Sequence, residues 1–217
     1  MRRLLMGNIS ELKKIYKLRR RAIGLRLSEF DKLRDSGHER FFEELCFCLL
    51  TPQSKAQSCG QIISDLKKNG LLYKGSRKQL EPFLKRTRFY RNKARYLMFA
   101  RRVFSKEEIA RFKKSLAQDG PLAARQWLIE NIKGLGHKES SHFLRNIGYG
   151  QDLAILDVHV LRSLKRLGVI DELPKSLSPK KYLQIEEKVR QLASKLKIPA
   201  SHLDLLFWSI GTGKIYK

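Results

Sequence analysis

Cysteine is scarce in this 217-residue chain, which has three, at positions 46, 48 and 59. Three cannot build a disulfide framework, and an iron–sulfur cluster needs four thiolates. Cys46 and Cys48 share an apolar segment of helical period, so packing is their expected role. No zinc spacing of Cys and His occurs, and neither a metal nor another cofactor is expected. No apolar run approaches the roughly 20 residues that a bilayer span requires, so no membrane partner is expected. Met1 to Asn8 lacks the long apolar core and small-residue cleavage site of a signal peptide, which points to an intracellular protein, cytoplasmic or nucleoid-associated. Low-complexity linkers and repeats are missing too. Strand patterning is confined to Asp152–Leu156, too short to build a sheet, and the fold class expected is all-α.

Acidic residues are the other shortage. Lys and Arg total 46 against 21 Asp and Glu, a net charge of +25. The excess runs through the whole chain, although Arg2 to Arg26 is especially dense, with only Glu11 opposing its cations. A surface of this kind suits a polyanion, because phosphate contacts release condensed counterions and speed encounter. A thermophile surface is the competing explanation, but such surfaces usually gain Glu along with Lys and Arg. Charge therefore favours nucleic acid.

The apolar period is helical almost throughout. The pattern predicts a helix over Ile9–Leu33 with Ser10 as its cap, and another over His38–Leu50 that Pro52 ends. Ser54 is predicted to cap a helix running to Asn69, where Gly70 stops it. Further helices are predicted over Gln79–Leu84, Arg91–Phe104, Lys106–Leu116 and Pro121–Asn131, with Pro121 in a first-turn position. Short helices over Lys138–Ile147 and Asp157–Leu167 follow. Ser178-Pro179 opens a long helix to Leu196, and Pro199 starts the last.

Between two of these helices stands Ile132-Lys133-Gly134-Leu135-Gly136-His137-Lys138. Two glycines bracket an apolar residue that can plug into the protein, and backbone N–H groups face outward at the start of the next helix. Such a turn binds a phosphate without reading sequence, and a Cβ there would hold the phosphate away. An ordinary glycine-stopped helix turn has the same spelling. Lys138 opens the second helix, where the positive helix end and neighbouring cations disfavour its protonated form. Asp157, nineteen residues on, is either a simple N-cap or a carboxylate able to stabilise a cationic sugar transition state or accept a proton. If the two meet in one cleft, the chain can form an imine with a sugar carbon. If they do not, it is a DNA-binding helical domain.

The order of these pieces resembles the helix-hairpin-helix DNA glycosylase superfamily. Lys133–Lys138 looks like its hairpin ending in the catalytic lysine, Leu156–Arg162 like its aspartate segment, and Leu50-Thr51-Pro52-Gln53 like its Leu-Ser-x-Gln turn. Ser141–Tyr149 and the terminal Gly211–Lys217 are similar to the archaeal-type 8-oxoguanine DNA glycosylase/AP lyase, the second Ogg family, and the resemblance spans essentially the whole chain. It implies two all-α subdomains, residues 1–50 with 150–217 and residues 51–149, with a cleft between them and the helix-hairpin-helix motif at its lip.

The resemblance also implies a reaction. A damaged guanine rotates out of the duplex, Lys138 attacks C1′ and displaces 8-oxoguanine, and the Schiff base permits β-elimination that cuts 3′ to the abasic site. Asp157 would be the carboxylate partner. Gly134, Leu135, Gly136 and His137 would hold the DNA backbone, and Gln53 would enter the gap left by the flipped nucleotide. Lys217, Trp208 and Phe89 would recognise the base, although both aromatics also fit a packing role. The expected partner is double-stranded DNA containing 8-oxoguanine, bound by a monomer. Two other readings stay open. An endonuclease III-like enzyme for oxidised pyrimidines would share the Lys/Asp pair, but such enzymes commonly carry a C-terminal four-cysteine cluster, and no cysteine follows Cys59 here. A non-catalytic hairpin module would need neither Lys138 nor Asp157.

Overall fold

A computed structural model describes residues 8–216. Among the described residues there are eleven α-helices and no strand. Two compact units divide the chain. A terminal unit holds it up to Arg34 and again from Gly148 onward, and a central unit is Asp35–Ile147.

The terminal unit contains α1 (Ile9–Asp31), the later helices α9 (Val158–Arg166) and α10 (Pro179–Leu196), and the final α11 (Ala200–Thr212). Asn8, rather than the expected Ser10, caps α1, its side chain accepting from the Glu11 N–H at 2.9 Å. Ser178 caps α10 as expected, with Pro179 in the first turn. Leu203, Leu206 and Phe207 of α11 are fully buried and pack with Leu12, Ile23 and Leu164 in one core. The stretch Leu153–Leu156 is buried without belonging to a strand. The backbone groups of Ala154 are satisfied by side chains of α10 instead: its N–H donates to Glu186 Oε1 at 3.0 Å, and the Tyr182 hydroxyl donates to its carbonyl. That anchoring delivers the chain to Asp157 at the start of α9.

The central unit contains α2 (His38–Leu50), α3 (Ala56–Lys68), α4 (Leu71–Lys74), α5 (Arg77–Leu84), α6 (Tyr90–Val103), α7 (Lys106–Asn131) and α8 (His137–Asn146). The boundary is not the one read from sequence, which grouped α2 with the terminal helices. Every residue of α2 from Phe41 to Leu50 is buried, and Phe41 and Phe47 lie edge-on to Phe143 and His142 of α8 at 6.2 and 5.7 Å. The continuous apolar face of α2 is thus satisfied inside the central unit. Helix α7 is kinked at Gly120, whose φ is +82°, just before Pro121, so the two helices expected there are joined end to end. Ser54 does not cap α3, because the helix starts at Ala56 after an extended Lys55. The short α4 carries no periodic signal and was not expected.

Helix α8 is sunk into this unit. Ser140 through Asn146 are all buried. Phe143 touches Phe41, Phe104 and Phe112 with ring centroids 6.1–6.2 Å apart. Polar partners fix the same helix: Arg125 donates to Ser141 Oγ at 3.1 Å, and Asn146 Nδ2 donates to the buried Glu44 Oε2 at 3.1 Å. Glu44 in turn pairs with Arg40 at 3.2 Å, so the buried charge is compensated. Removing the Phe143 ring leaves a cavity that rigid aromatic neighbours cannot fill. Phe143→Ala is expected to cost about 3–5 kcal/mol, read by denaturant unfolding. Leu18→Ala, at a position 82% exposed on α1, is expected to stay within about 0.5 kcal/mol. Equal losses would mean that α8 is not anchored through this ring.

Candidate functional site

The glycine turn joins α7 to α8. Ile132 leaves α7 in an extended conformation with its side chain buried, and the Leu135 N–H returns to the Ile132 carbonyl at 3.2 Å. Leu135 is buried beneath the turn. Gly134 has φ +98°, and a Cβ there would lie 2.5 Å from the Tyr96 ring of α6. Glycine is therefore required at 134 by backbone sign and by Tyr96, a tighter constraint than the phosphate approach invoked from sequence. At Gly136 the nearest neighbour of an added Cβ is Glu139 Oε2 at 3.5 Å, an ordinary contact.

Glu139 is a residue the sequence reading missed. Its Oε2 accepts the Gly136 N–H at 3.4 Å, and its Oε1 lies 3.4 Å from Lys138 Nζ. The carboxylate holds the anion position at the positive end of α8. An acidic residue three positions past a helix start was the available signal. His137 and Lys138 occupy the first turn of α8 and are both half-buried.

Gln53 lies in the turn between α2 and α3, exposed, with φ +52°. Phe89 ends the loop between α5 and α6, with φ +56° and a ring 54% exposed, under which Arg88 lies 5.4 Å from the centroid. Left-handed backbone at a non-glycine residue costs about 1–3 kcal/mol and persists only where surrounding structure imposes it. Both segments converge on Ser54, whose hydroxyl accepts from the Arg88 N–H at 3.2 Å and from Lys93 Nζ at 2.8 Å. Lys93 is itself buried and also donates to the carbonyls of Leu50 at 2.7 Å and Pro52 at 2.8 Å. Burial pushes the Lys93 ammonium down to about 8, with Cys59 opposing and Lys138 adding repulsion. Burial likewise pushes the Cys59 thiol up to about 11, which fits an inert packing cysteine. Lys93 is a second residue that sequence reading missed, since one cation among 46 carries no local mark.

In the terminal unit, Asp157 is the N-cap of α9. Its Oδ1 accepts from the N–H groups of His159 and Val160, both at 2.8 Å. Both cap bonds fall on one oxygen. The His159 ring lies edge-on to Trp208 at 6.4 Å, and Trp208 meets Tyr216 at 6.3 Å. A Cβ on Gly211 would sit 2.1 Å from His159 Nδ1, so glycine in α11 makes room for that ring. Asp157 and half-buried Trp208 are thus linked through His159. Lys217 lies outside the described residues. Lys138, Gln53 and Phe89 belong to the central unit, and Asp157 and Trp208 to the terminal one. No group of His, Cys, Asp and Glu able to hold a metal occurs among the described residues, nor any helix long and apolar enough to cross a membrane.

The depressed Lys93 has a consequence for stability. Its folded value of about 8 lies below the ordinary 10.5. Between these values the unfolded chain binds a proton that the folded chain has released, so stability owed to this residue rises with pH across that window. Wild type is expected to gain on Lys93→Met in denaturant midpoint as pH climbs through it. A gap that stays constant would mean that Lys93 titrates as an ordinary lysine.

Comparison with known proteins agrees with this architecture. The family described as 8-oxoguanine DNA glycosylase matches residues 23–198. An 8-oxoguanine DNA glycosylase/AP lyase of Fusobacterium nucleatum is 46% identical over 212 residues, covering 96% of this chain and 97% of that one. The solved Methanocaldococcus jannaschii 8-oxoguanine glycosylase/lyase, in complex with a 15mer DNA containing 8-oxoguanine, superposes with a TM-score of 0.85 at 38% identity, over 96% of this chain and all of that one. The 8-oxoguanine DNA glycosylase of Thermotoga maritima superposes equally well, with a TM-score of 0.85 at 34% identity, over 96% of this chain and 97% of that one. With a match of this extent along both chains, the protein belongs to the 8-oxoguanine DNA glycosylase family.

Proposed function

We propose that this chain is a bifunctional repair glycosylase that excises 8-oxoguanine from double-stranded DNA and cleaves the strand 3′ to the abasic site. The observation that carries the reading is the position of Lys138, in the first turn of α8 directly after the Gly134–Gly136 turn. A backbone that accepts a phosphate there, with His137 beside it, brings a sugar to the lysine. Similarity to proteins named glycosylase/AP lyase over nearly their full length supports the same activity.

In the reaction proposed, the Lys138 amine attacks C1′ while the C1′–N9 bond breaks, its electron pair leaving with the base. Loss of the nitrogen proton and ring opening give an iminium between Lys138 and C1′. A base then removes a C2′ proton, and the electron pair moves into the C2′–C3′ bond as the 3′ phosphate departs. Water in place of Lys138 would stop at base release. Asp157, held in place by its cap bonds at the start of α9, is proposed to stabilise the cationic sugar and to receive a proton. Gln53 fills the gap in the duplex, Phe89 and Trp208 contact the extruded base, and Lys217 reads its oxidised edge. One chain carries every group named, so a monomer suffices, and the substrate places the work on chromosomal DNA inside the cell.

Borohydride is expected to trap wild type covalently on an 8-oxoguanine duplex and to trap no Lys138→Gln. Asp157→Asn is expected to bind the duplex with near wild-type affinity and turn over at least about a hundredfold more slowly, the lower range of general acid–base contributions. Trapping that survives Lys138→Gln would remove the lysine from the mechanism. Deleting Lys217 is expected to narrow the preference for 8-oxoguanine over guanine while strand cleavage at a preformed abasic site persists. Unchanged discrimination would end the role of the tail.

A further inference from the structure

One buried side chain in the central unit has every donor hydrogen-bonded to a different acceptor. The ammonium of Lys93 has three protons, and all three are used: on the carbonyls of Leu50 and Pro52 and on Ser54 Oγ. The Ser54 hydroxyl is equally full, accepting from Lys93 and from the Arg88 N–H and donating to the Pro52 carbonyl at 3.3 Å. The Leu50 carbonyl belongs to the last turn of α2, where carbonyls lack helical partners and a cation is favoured. Lys93 therefore closes the end of α2, and through Ser54 it ties the Gln53 turn to the Phe89 loop. Among the described residues, these are the two segments in the central unit where a non-glycine residue stands in left-handed backbone. One turn further along the same helix, Tyr96 abuts Gly134 of the hairpin, so α6 sets the register of all three.

We propose that Lys93 is a positioning residue for lesion processing, holding Gln53 and Phe89 in their strained conformations before DNA arrives so that neither has to be ordered during base extrusion. The inference rests on the functional reading given above only for what Gln53 and Phe89 do. The coupling of their loops stands on the hydrogen bonds alone. Neither residue needs to touch the substrate through Lys93, whose ammonium is spent entirely on protein acceptors.

The test has two arms. In the free protein, amide exchange at Ser54 and Arg88 is followed by NMR in wild type, Lys93→Met and the milder Ser54→Ala, which removes the bridge without unpairing a buried cation from its carbonyls. Arg88 is expected to exchange several-fold to about tenfold faster in both variants, the scale of one lost hydrogen bond between neutral groups, and Ser54 or its replacement to follow, while amides of α8 keep wild-type rates. Acceleration of one loop alone, or of α8 equally, overturns the coupling. In the second arm, single-turnover release of 8-oxoguanine from a duplex is measured in a double-mutant cycle of Ser54→Ala with Gln53→Ala. If the bridge acts through Gln53, the second substitution costs markedly less once the first is present. Strictly multiplicative losses overturn the positioning role. Should wild type release no 8-oxoguanine, the functional reading fails, and the exchange arm still decides the coupling by itself.

Discussion

The burial of α8 is the constraint on which the central unit turns. A helix with seven consecutive buried residues, Ser140 to Asn146, has no free rotation or slide left to it. Phe143 is gripped by three aromatic rings, and Ser141 and Asn146 are pinned by Arg125 and Glu44. Close-packed interiors transmit position rather than absorb it. The first turn, which the core does not cover, therefore presents His137 and Lys138 at a fixed place and angle. A side chain on such an element is located more sharply than one on a loop, and orientation is a large part of what an enzyme supplies.

Around that fixed turn, polar groups are spent on loops rather than on the core. Glu139 answers the positive end of α8 and pairs with Lys138, which leaves an anion already seated where DNA phosphate is proposed to arrive. Lys93 does the corresponding work at the negative end of α2. Two helix termini, of opposite sign, are thus each closed by the charge they favour. The segments that leave those termini are the hairpin and the Gln53 turn.

The terminal unit uses the same economy. Leu153–Leu156 runs buried without a sheet, its backbone bonded by Glu186 and Tyr182, and it ends in a carboxylate whose one oxygen caps α9. The cap and the proposed catalytic role do not compete, since both cap bonds fall on the single oxygen Oδ1. His159, which follows the cap, reaches across to Trp208 because Gly211 leaves room for its ring.

Much of this was legible in the residues themselves. Periodicity marked the helices, Gly134-Leu135-Gly136 marked a turn with a buried plug, and Asp157 and Ser178 announced helix starts, because each of these depends on neighbours a few residues away. The net charge of +25 likewise pointed to a polyanion without any geometry. Tertiary structure alone decided the rest. It moved α2 into the central unit, since an apolar face does not name its partner. It turned Ser54 from an expected helix cap into a bridge, and singled out Lys93 among the cations, because those bonds join residues about forty apart in sequence. It also showed that Gly134 is required by Tyr96 as well as by its own dihedral angle. Local physics is written in local sequence, whereas the pairing of distant groups is settled only when the core has closed around them.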